Sequence, residues 1–413
     1  MVNCFRFSNF WQSFLILILF FIAPFWGAVV ALYVIYKSRK RDDVFFALFT
    51  VASFWGVLAF TQKSISLDIE TDIERYYDMI ESLSIYRLSD LYTILPECSY
   101  MFVFMPICIL IHFLTGNVQY ISYFWVTLSY LFLFLLIKKV LINEGLYSGK
   151  TFVKLLLISM FSLMLFVQIS ETIKNAVAFA IFFYLASIIY YQGYSIKRIL
   201  LFIIPIGIHP SVLFLFPLFL YKWVNTKILM VSSFVLFVLG MSINIMELLT
   251  RIIPNSGYFL ILLSIAEGYS TDTDSSSIRY ILLSFLSYII ALYLYKIGGK
   301  KTNSITNIVL LYFFVSCLNM HNLTSYVRFV NFMHTVFVFL LLALLKLKRS
   351  LKGRTTAINF AFYSVVLINF VMTIRLTVGR TQIGSYASSY MNNSFVDIIF
   401  SSLYTYLHTG PKF

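Results

Sequence analysis

The chain has 413 residues, of which 60% are hydrophobic and only 12% charged, with a mean hydropathy of +0.88. So little polar surface cannot clothe a water-soluble protein of this length, which excludes a large soluble catalytic domain and indicates a polytopic membrane protein. The formal net charge of +14 would suggest nucleic acid in a soluble chain; here it reports basic loops anchored at the cytoplasmic face, and nucleic acid is discarded as a partner.

In chain order, apolar runs fit for crossing fall near residues 12–36, 44–62, 120–137, 151–168, 175–191, 228–246, 278–295, 304–320, 324–345 and 356–374. The first is read as a single crossing that ends inside, because Lys37, Arg39, Lys40 and Arg41 follow it. Two more runs are interrupted. Residues 100–115 carry Pro106 and His112, and residues 199–220 carry Pro205, His209, Pro210 and Pro217, so both are expected as broken or re-entrant helices. The expected fold is all-α: one integral-membrane domain over 1–413, a bundle of about 10–12 transmembrane or re-entrant helices. On this topology the basic segments 37–43, 138–154, 196–198, 222–227, 296–301 and 346–354 lie inside. The sizeable loop 63–97, a second loop 247–277 and the tail 375–413 lie outside.

Inside, lysine predominates; outside, the basic residues are mostly arginine, among them Arg279 and Arg328 at the ends of apolar runs. A guanidinium fork suits a bidentate anionic ligand, whereas lysine suits a solvated anchor. The 63–97 loop is dense in carboxylates. Asp68, Asp72 and Tyr76 are spaced so that a helix would align them, with Tyr77 beside them. Carboxylates that accept hydroxyl protons next to rings that cover apolar sugar faces suit carbohydrate. His209, in the helix break Gly207-Ile208-His209-Pro210-Ser211, is the histidine best placed to line a cavity. The polar cluster Glu171 to Asn175, with Lys174, is read as lining a vestibule or capping a helix. Cys4, Cys98, Cys108 and Cys317 have neither metal spacing nor a disulfide pattern, and the chain has no P-loop, so neither metal nor nucleotide cofactor is expected.

The order of these features, Asp72-Ile73-Glu74-Arg75-Tyr76-Tyr77, then Glu171 to Ala178, then Gly207 to Leu213 with Pro217, then Ser325-Tyr326-Val327-Arg328-Phe329, resembles the EpsG-like branch of Wzy-type polysaccharide polymerases, which includes O-antigen polymerases. The family's Asp-x-x-x-Tyr is matched by Asp72 and Tyr76, its His-x-Ser by His209 and Ser211, and its late arginine by Arg328. Where the family often carries Arg-Gln, this chain has Lys174-Asn175. The resemblance implies a multi-pass protein of the bacterial inner membrane that transfers a growing glycan from undecaprenyl diphosphate to an incoming lipid-linked repeat unit at the periplasmic face. Its partners would be that undecaprenyl-diphosphate-linked oligosaccharide, membrane lipids and a chain-length regulator protein. The expected roles are His209 as base with Asp72 in reserve, Arg328, Arg279 and Lys174 on the diphosphate, and Asp68, Tyr76 and Tyr77 on sugar. A flippase for the same lipid-linked oligosaccharide is the alternative, with a membrane acyltransferase behind it.

Overall fold

The computed structural model describes residues 3–40, 42–61, 72–83, 100–163, 166–243, 277–298, 303–320, 326, 329–330, 367 and 399–409. Every regular element among them is helical. The expected spans at 324–345 and 356–374 and the loop at 247–277 lie outside the described residues except at 277, 326, 329–330 and 367. The chain divides into two compact units, Met1–His209 with Ser364–Phe413, and Pro210–Tyr363. The division falls at the His209–Pro210 peptide, inside the interrupted run.

The first unit begins with a departure from the expected single crossing of 12–36. Two helices occupy that stretch, α1 (Asn3–Ile22) and α2 (Pro24–Lys37), and they fold back on each other. Proline lacks the N–H a continuing helix would need and its ring crowds the preceding turn, so the chain breaks at Ala23-Pro24. Gly27 makes the sharp return feasible: a Cβ there would fall 2.6 Å from the Phe20 Cα. Next come α3 (Phe45–Phe60), α4 (Asp72–Leu83), α5 (Phe104–Thr115) and α6 (Gln119–Asn143). At about 1.5 Å per residue, the 25 residues of α6 span roughly 37 Å, enough to cross a bilayer core. It is apolar on all sides and packs along α3 and along α9 (Ile173–Gln192), the other described helix long and apolar enough to cross. Gly56 sets the spacing of α3 and α6, since a Cβ there would meet Thr127 Oγ1 at 2.1 Å and the Tyr123 carbonyl oxygen at 2.7 Å.

The run expected at 151–168 is not one continuous helix. α7 (Gly149–Ile158) starts at Ser148, whose Oγ accepts the Thr151 N–H at 3.1 Å, and then widens into a π turn over Ser159–Leu163 before α8 (Phe166–Glu171). After α9 the run that begins at 199 is broken as expected, into α10 (Ile196–Leu200) and α11 (Ile203–Ile208). The tail returns to this unit: Leu403, at the start of α15 (Leu403–Thr409), packs against the buried Phe20 and Val57.

The basic loops expected inside meet at one end of this unit. Ser38 Oγ and Tyr147 OH share a hydrogen bond of 2.7 Å, Lys138 Nζ donates to the Asp42 carbonyl at 3.3 Å, and Tyr191 OH donates to Glu144 Oε1 at 2.9 Å. Burial pushes the Tyr147 hydroxyl above its ordinary pKa, and the Ser38 bond partly offsets this, so the contact is made by the neutral phenol. Tyr77 attaches at the opposite end of α6, through Ser122.

The second unit holds a 3-10 helix (Pro210–Lys222), α12 (Thr226–Ser242), α13 (Ser277–Gly298) and α14 (Asn303–Leu318). Pro217 within Pro210–Lys222 cannot donate to an α-helical ladder, which suits the tighter winding. Asn307 Nδ2 ties off its end by donating to the carbonyls of Tyr221 at 2.8 Å and Val224 at 3.0 Å. The core is aromatic: Phe237 stacks on Phe285 at 5.1 Å and on Phe313 at 5.7 Å. Gly240 lets α12 close on α14, where a Cβ would lie 2.7 Å from the Cys317 carbonyl.

Candidate functional site

The site is assembled from short pieces around the starts of α6 and α9. α4 is amphipathic, with Tyr77 and Ile80 buried and Asp78 and Glu81 exposed. Tyr77 OH and Ser122 Oγ share a hydrogen bond, fixing α4 to the first turn of α6. Tyr76, half-buried, turns its ring edge to Phe104 at 5.5 Å, and Phe104 stacks on Trp125 at 5.1 Å. Below them Trp125 Nε1 donates to Cys108 Sγ at 3.1 Å. The result is an aromatic floor through three helices.

On this floor lies the cation. Lys174, in the first turn of α9, donates to the Tyr76 hydroxyl and stands 4.8 Å from the ring centroid. Attraction of an ammonium to an aromatic ring contributes about 0.5–2 kcal/mol, more as water is excluded. The next residue, Asn175, is 2% exposed and its Nδ2 has no hydrogen-bond partner. Thr172 precedes the helix without a side-chain cap bond, so capping does not account for this cluster.

His209 reaches the same end of the unit by a different route. Phe202, just before α11, packs against Phe182 of α9 at 5.2 Å. From Phe182 back to Lys174 is about 12 Å of helix, and from Phe202 on to His209 about 10 Å, so the returning strand of chain ends near the start of α9. Gly207 locks this position: its carbonyl accepts the Val103 N–H at 2.9 Å, and a Cβ would strike the Phe102 ring at 2.5 Å. His209 itself is extended, with φ −151° and ψ 119°, the region that a following proline imposes. Its N–H donates to the Pro205 carbonyl at 3.0 Å, and the residue is half-buried.

Of the expected site residues, Tyr76 and Lys174 are in direct contact, and His209 is joined to them through Gly207, Val103 and Phe104. Tyr77 is 6% exposed with its hydroxyl bonded, so it anchors α4 from beneath. Asp72 opens α4, one turn before Tyr76. Asp68 and Arg328 lie outside the described residues. Arg279 belongs to α13 in the second unit, where Ser284 of the same helix shares a hydrogen bond with Tyr326 and Tyr312 OH donates to the Phe329 carbonyl. Sequence reasoning did not find Ser122, Phe104 or Trp125 as parts of this end, whereas Asn175 belongs to the polar cluster it read as lining a vestibule or capping a helix.

These features define an apolar helical bundle with a cation, rings and a histidine gathered at one end, opposite its basic loops. The chain belongs to the EpsG family, whose model matches residues 44–392. It is therefore a membrane protein of the polysaccharide-polymerase type, acting in general on lipid-linked saccharides. No curated protein and no solved structure matches it.

Proposed function

We propose that this protein is a polysaccharide polymerase of the O-antigen type, which moves a growing glycan from undecaprenyl diphosphate onto an incoming lipid-linked repeat unit at the periplasmic face of the bacterial inner membrane. The observation that carries the reading is the Lys174–Tyr76 contact on an aromatic floor, at the end to which His209 returns. A cation beside a ring is what a substrate with a diphosphate next to a sugar requires.

In this reading an acceptor hydroxyl oxygen attacks the anomeric carbon of the growing glycan. The carbon–oxygen bond to the diphosphate breaks, and the lipid diphosphate leaves with the electron pair. His209 takes the hydroxyl proton, with Asp72 as the reserve base, and the anomeric centre inverts. Lys174 offsets the charge that gathers on the leaving diphosphate, the role that the family resemblance also implies for Arg279 and Arg328. Tyr76 packs on a sugar face, Tyr77 holds α4, and Asp68 accepts from sugar hydroxyls. A chain-length regulator would act from outside this chain.

The test is glycan banding from a deletion strain complemented with wild type, His209→Ala or Arg328→Ala, with membrane expression matched. Collapse of the ladder to a band carrying one repeat supports polymerase. A normal ladder from both variants refutes it. Lipid-linked units retained on the cytoplasmic leaflet would instead mark a flippase.

A further inference from the structure

We infer that the first unit binds the phosphate headgroup of an anionic phospholipid where α6 and α9 end, between Lys139 of α6 and Arg198 of α10. The inference rests on the chain's being a membrane protein and is independent of the polymerase reading. Lys139 lies roughly 26 Å along α6 from Ser122, at the end that carries the basic loops. Adjacent lysines there have different surroundings. Lys138 donates to the Asp42 carbonyl and feels the carboxylates of Asp42 and Asp43. Lys139 feels the guanidinium of Arg198 instead, a like charge, and among the described residues no carboxylate is set against it. Arg198 is held in place, because its Nη1 donates to the carbonyls of Gln192 at 2.7 Å and Gly193 at 2.7 Å and so closes the end of α9. Lys139 stands 5.9 Å from the centroid of the Tyr184 ring, which steadies the ammonium without supplying a counter-charge. Two like charges kept together repel, and an anion between them turns that repulsion into attraction.

The surface around the pair selects the anion. In α10 and the residue after it, Ile196 is 78% exposed, Leu200 56%, Ile199 47% and Leu201 43%, and Lys197 between them is exposed as well. A short apolar segment open on its outer side, with cations at its edge, has the pattern of an interfacial element. Its apolar side chains enter the acyl region while the cations stay level with the headgroup phosphates. A free phosphate would make no use of those apolar side chains, whereas a lipid covers them with its acyl chains. Both hydrogen bonds that hold Arg198 leave from Nη1, so Nη2 and Nε remain to donate to phosphate oxygens, with the Lys139 ammonium across from them.

The experiment uses the purified full chain in a neutral detergent. Short-chain phosphatidylglycerol, short-chain phosphatidylcholine and glycerol phosphate are each titrated, with Tm as the readout. Wild type is expected to melt higher with phosphatidylglycerol and to respond little to the other two. Lys139→Gln should weaken phosphatidylglycerol binding about 5-fold, the share of one lysine at an anionic lipid surface. Lys150→Gln removes the same charge from an exposed position of α7 at the same end and should bind like wild type. Lys139→Glu sets a carboxylate beside Arg198, so its lipid-free Tm should equal or exceed that of wild type while its response to phosphatidylglycerol disappears. The inference is overturned if Lys139→Gln binds the lipid like wild type, or if Lys150→Gln loses as much, which would mark general attraction to the basic loops. A lipid-free Tm of Lys139→Glu well below wild type would also overturn it, since Lys139 would then already have its counter-charge. A Tm rise with glycerol phosphate equal to that with the lipid would overturn the assignment to a phospholipid.

Discussion

The hydrogen bond between Tyr77 and Ser122 holds α4 to α6, and its removal has a size that can be worked out. Both residues are buried, at 6% and 2% exposure, so Tyr77→Phe leaves the serine hydroxyl with no phenol to pair with and no water to replace it. Stranding such a group costs about 1–3 kcal/mol, whereas removing both partners is nearly neutral. α4 opens locally rather than with the whole bundle, since among the described residues it meets the rest of the unit through short edges on α5, α6, α8 and α9. At about 1.4 kcal/mol per decade, amide exchange across residues 72–83 should accelerate roughly 5- to 100-fold in Tyr77→Phe. Exchange in α9 should stay unchanged. The double variant Tyr77→Phe/Ser122→Ala should recover most of the protection. Exchange of α4 in Tyr77→Phe matching that of wild type, or a double variant no better than the single one, would refute the account.

Gly207→Val should separate α11 from α5, because the added carbons meet Phe102 and Val103. Displacing His209 by about 1 Å would cut polymer formation by on the order of 100-fold at normal membrane expression, read as glycan ladder intensity. Gly56→Val sets a branched side chain against Thr127 and the Tyr123 carbonyl, and should abolish accumulation of folded protein, measured by fluorescence-detected gel filtration. Cys108 and Cys317 are fully buried, so a membrane-permeant maleimide should label neither until denaturant is added; prompt labelling of Cys108 would contradict its position against Trp125.

Much of the helical framework was legible because its signal is local. α3, α6, α9, α12, α13 and α14 each fall on an apolar run visible in sequence, and the proline-rich stretch at 199–220 broke as its residues require. What failed to show was how a run folds back on itself. The 12–36 stretch has one proline and no charged residue before Lys37, so hydropathy alone counts it once, although Pro24 and Gly27 together turn it round. The π turn at Ser159–Leu163 has no proline to announce it. The site divided the same way. His209 and Lys174 stood out as polar groups in apolar surroundings. Ser122, Phe104 and Trp125 are set by packing between α4, α5 and α6, which no single-segment pattern contains.

The fold-back of α1 and α2 also bears on which way the chain sits. A single crossing at 12–36 would put the N-terminus on the opposite side from Lys37 to Arg41; two helices folded together return the chain to the side it started from. The positive-inside argument acts through the short basic loop at 37–43 and does not depend on how the chain arrived there. On that argument the expected side of every later element is unchanged, and Arg6 is the one basic residue whose expected face changes. A variant in which Cys4 is the sole native cysteine, compared with one bearing only an introduced Arg39→Cys, decides the point with a membrane-impermeant thiol reagent. Both positions should label from the cytoplasmic side in inverted vesicles and remain unlabelled in intact cells. Labelling of Cys4 from outside, with position 39 inside, would restore a single crossing and overturn the fold-back of α1 on α2.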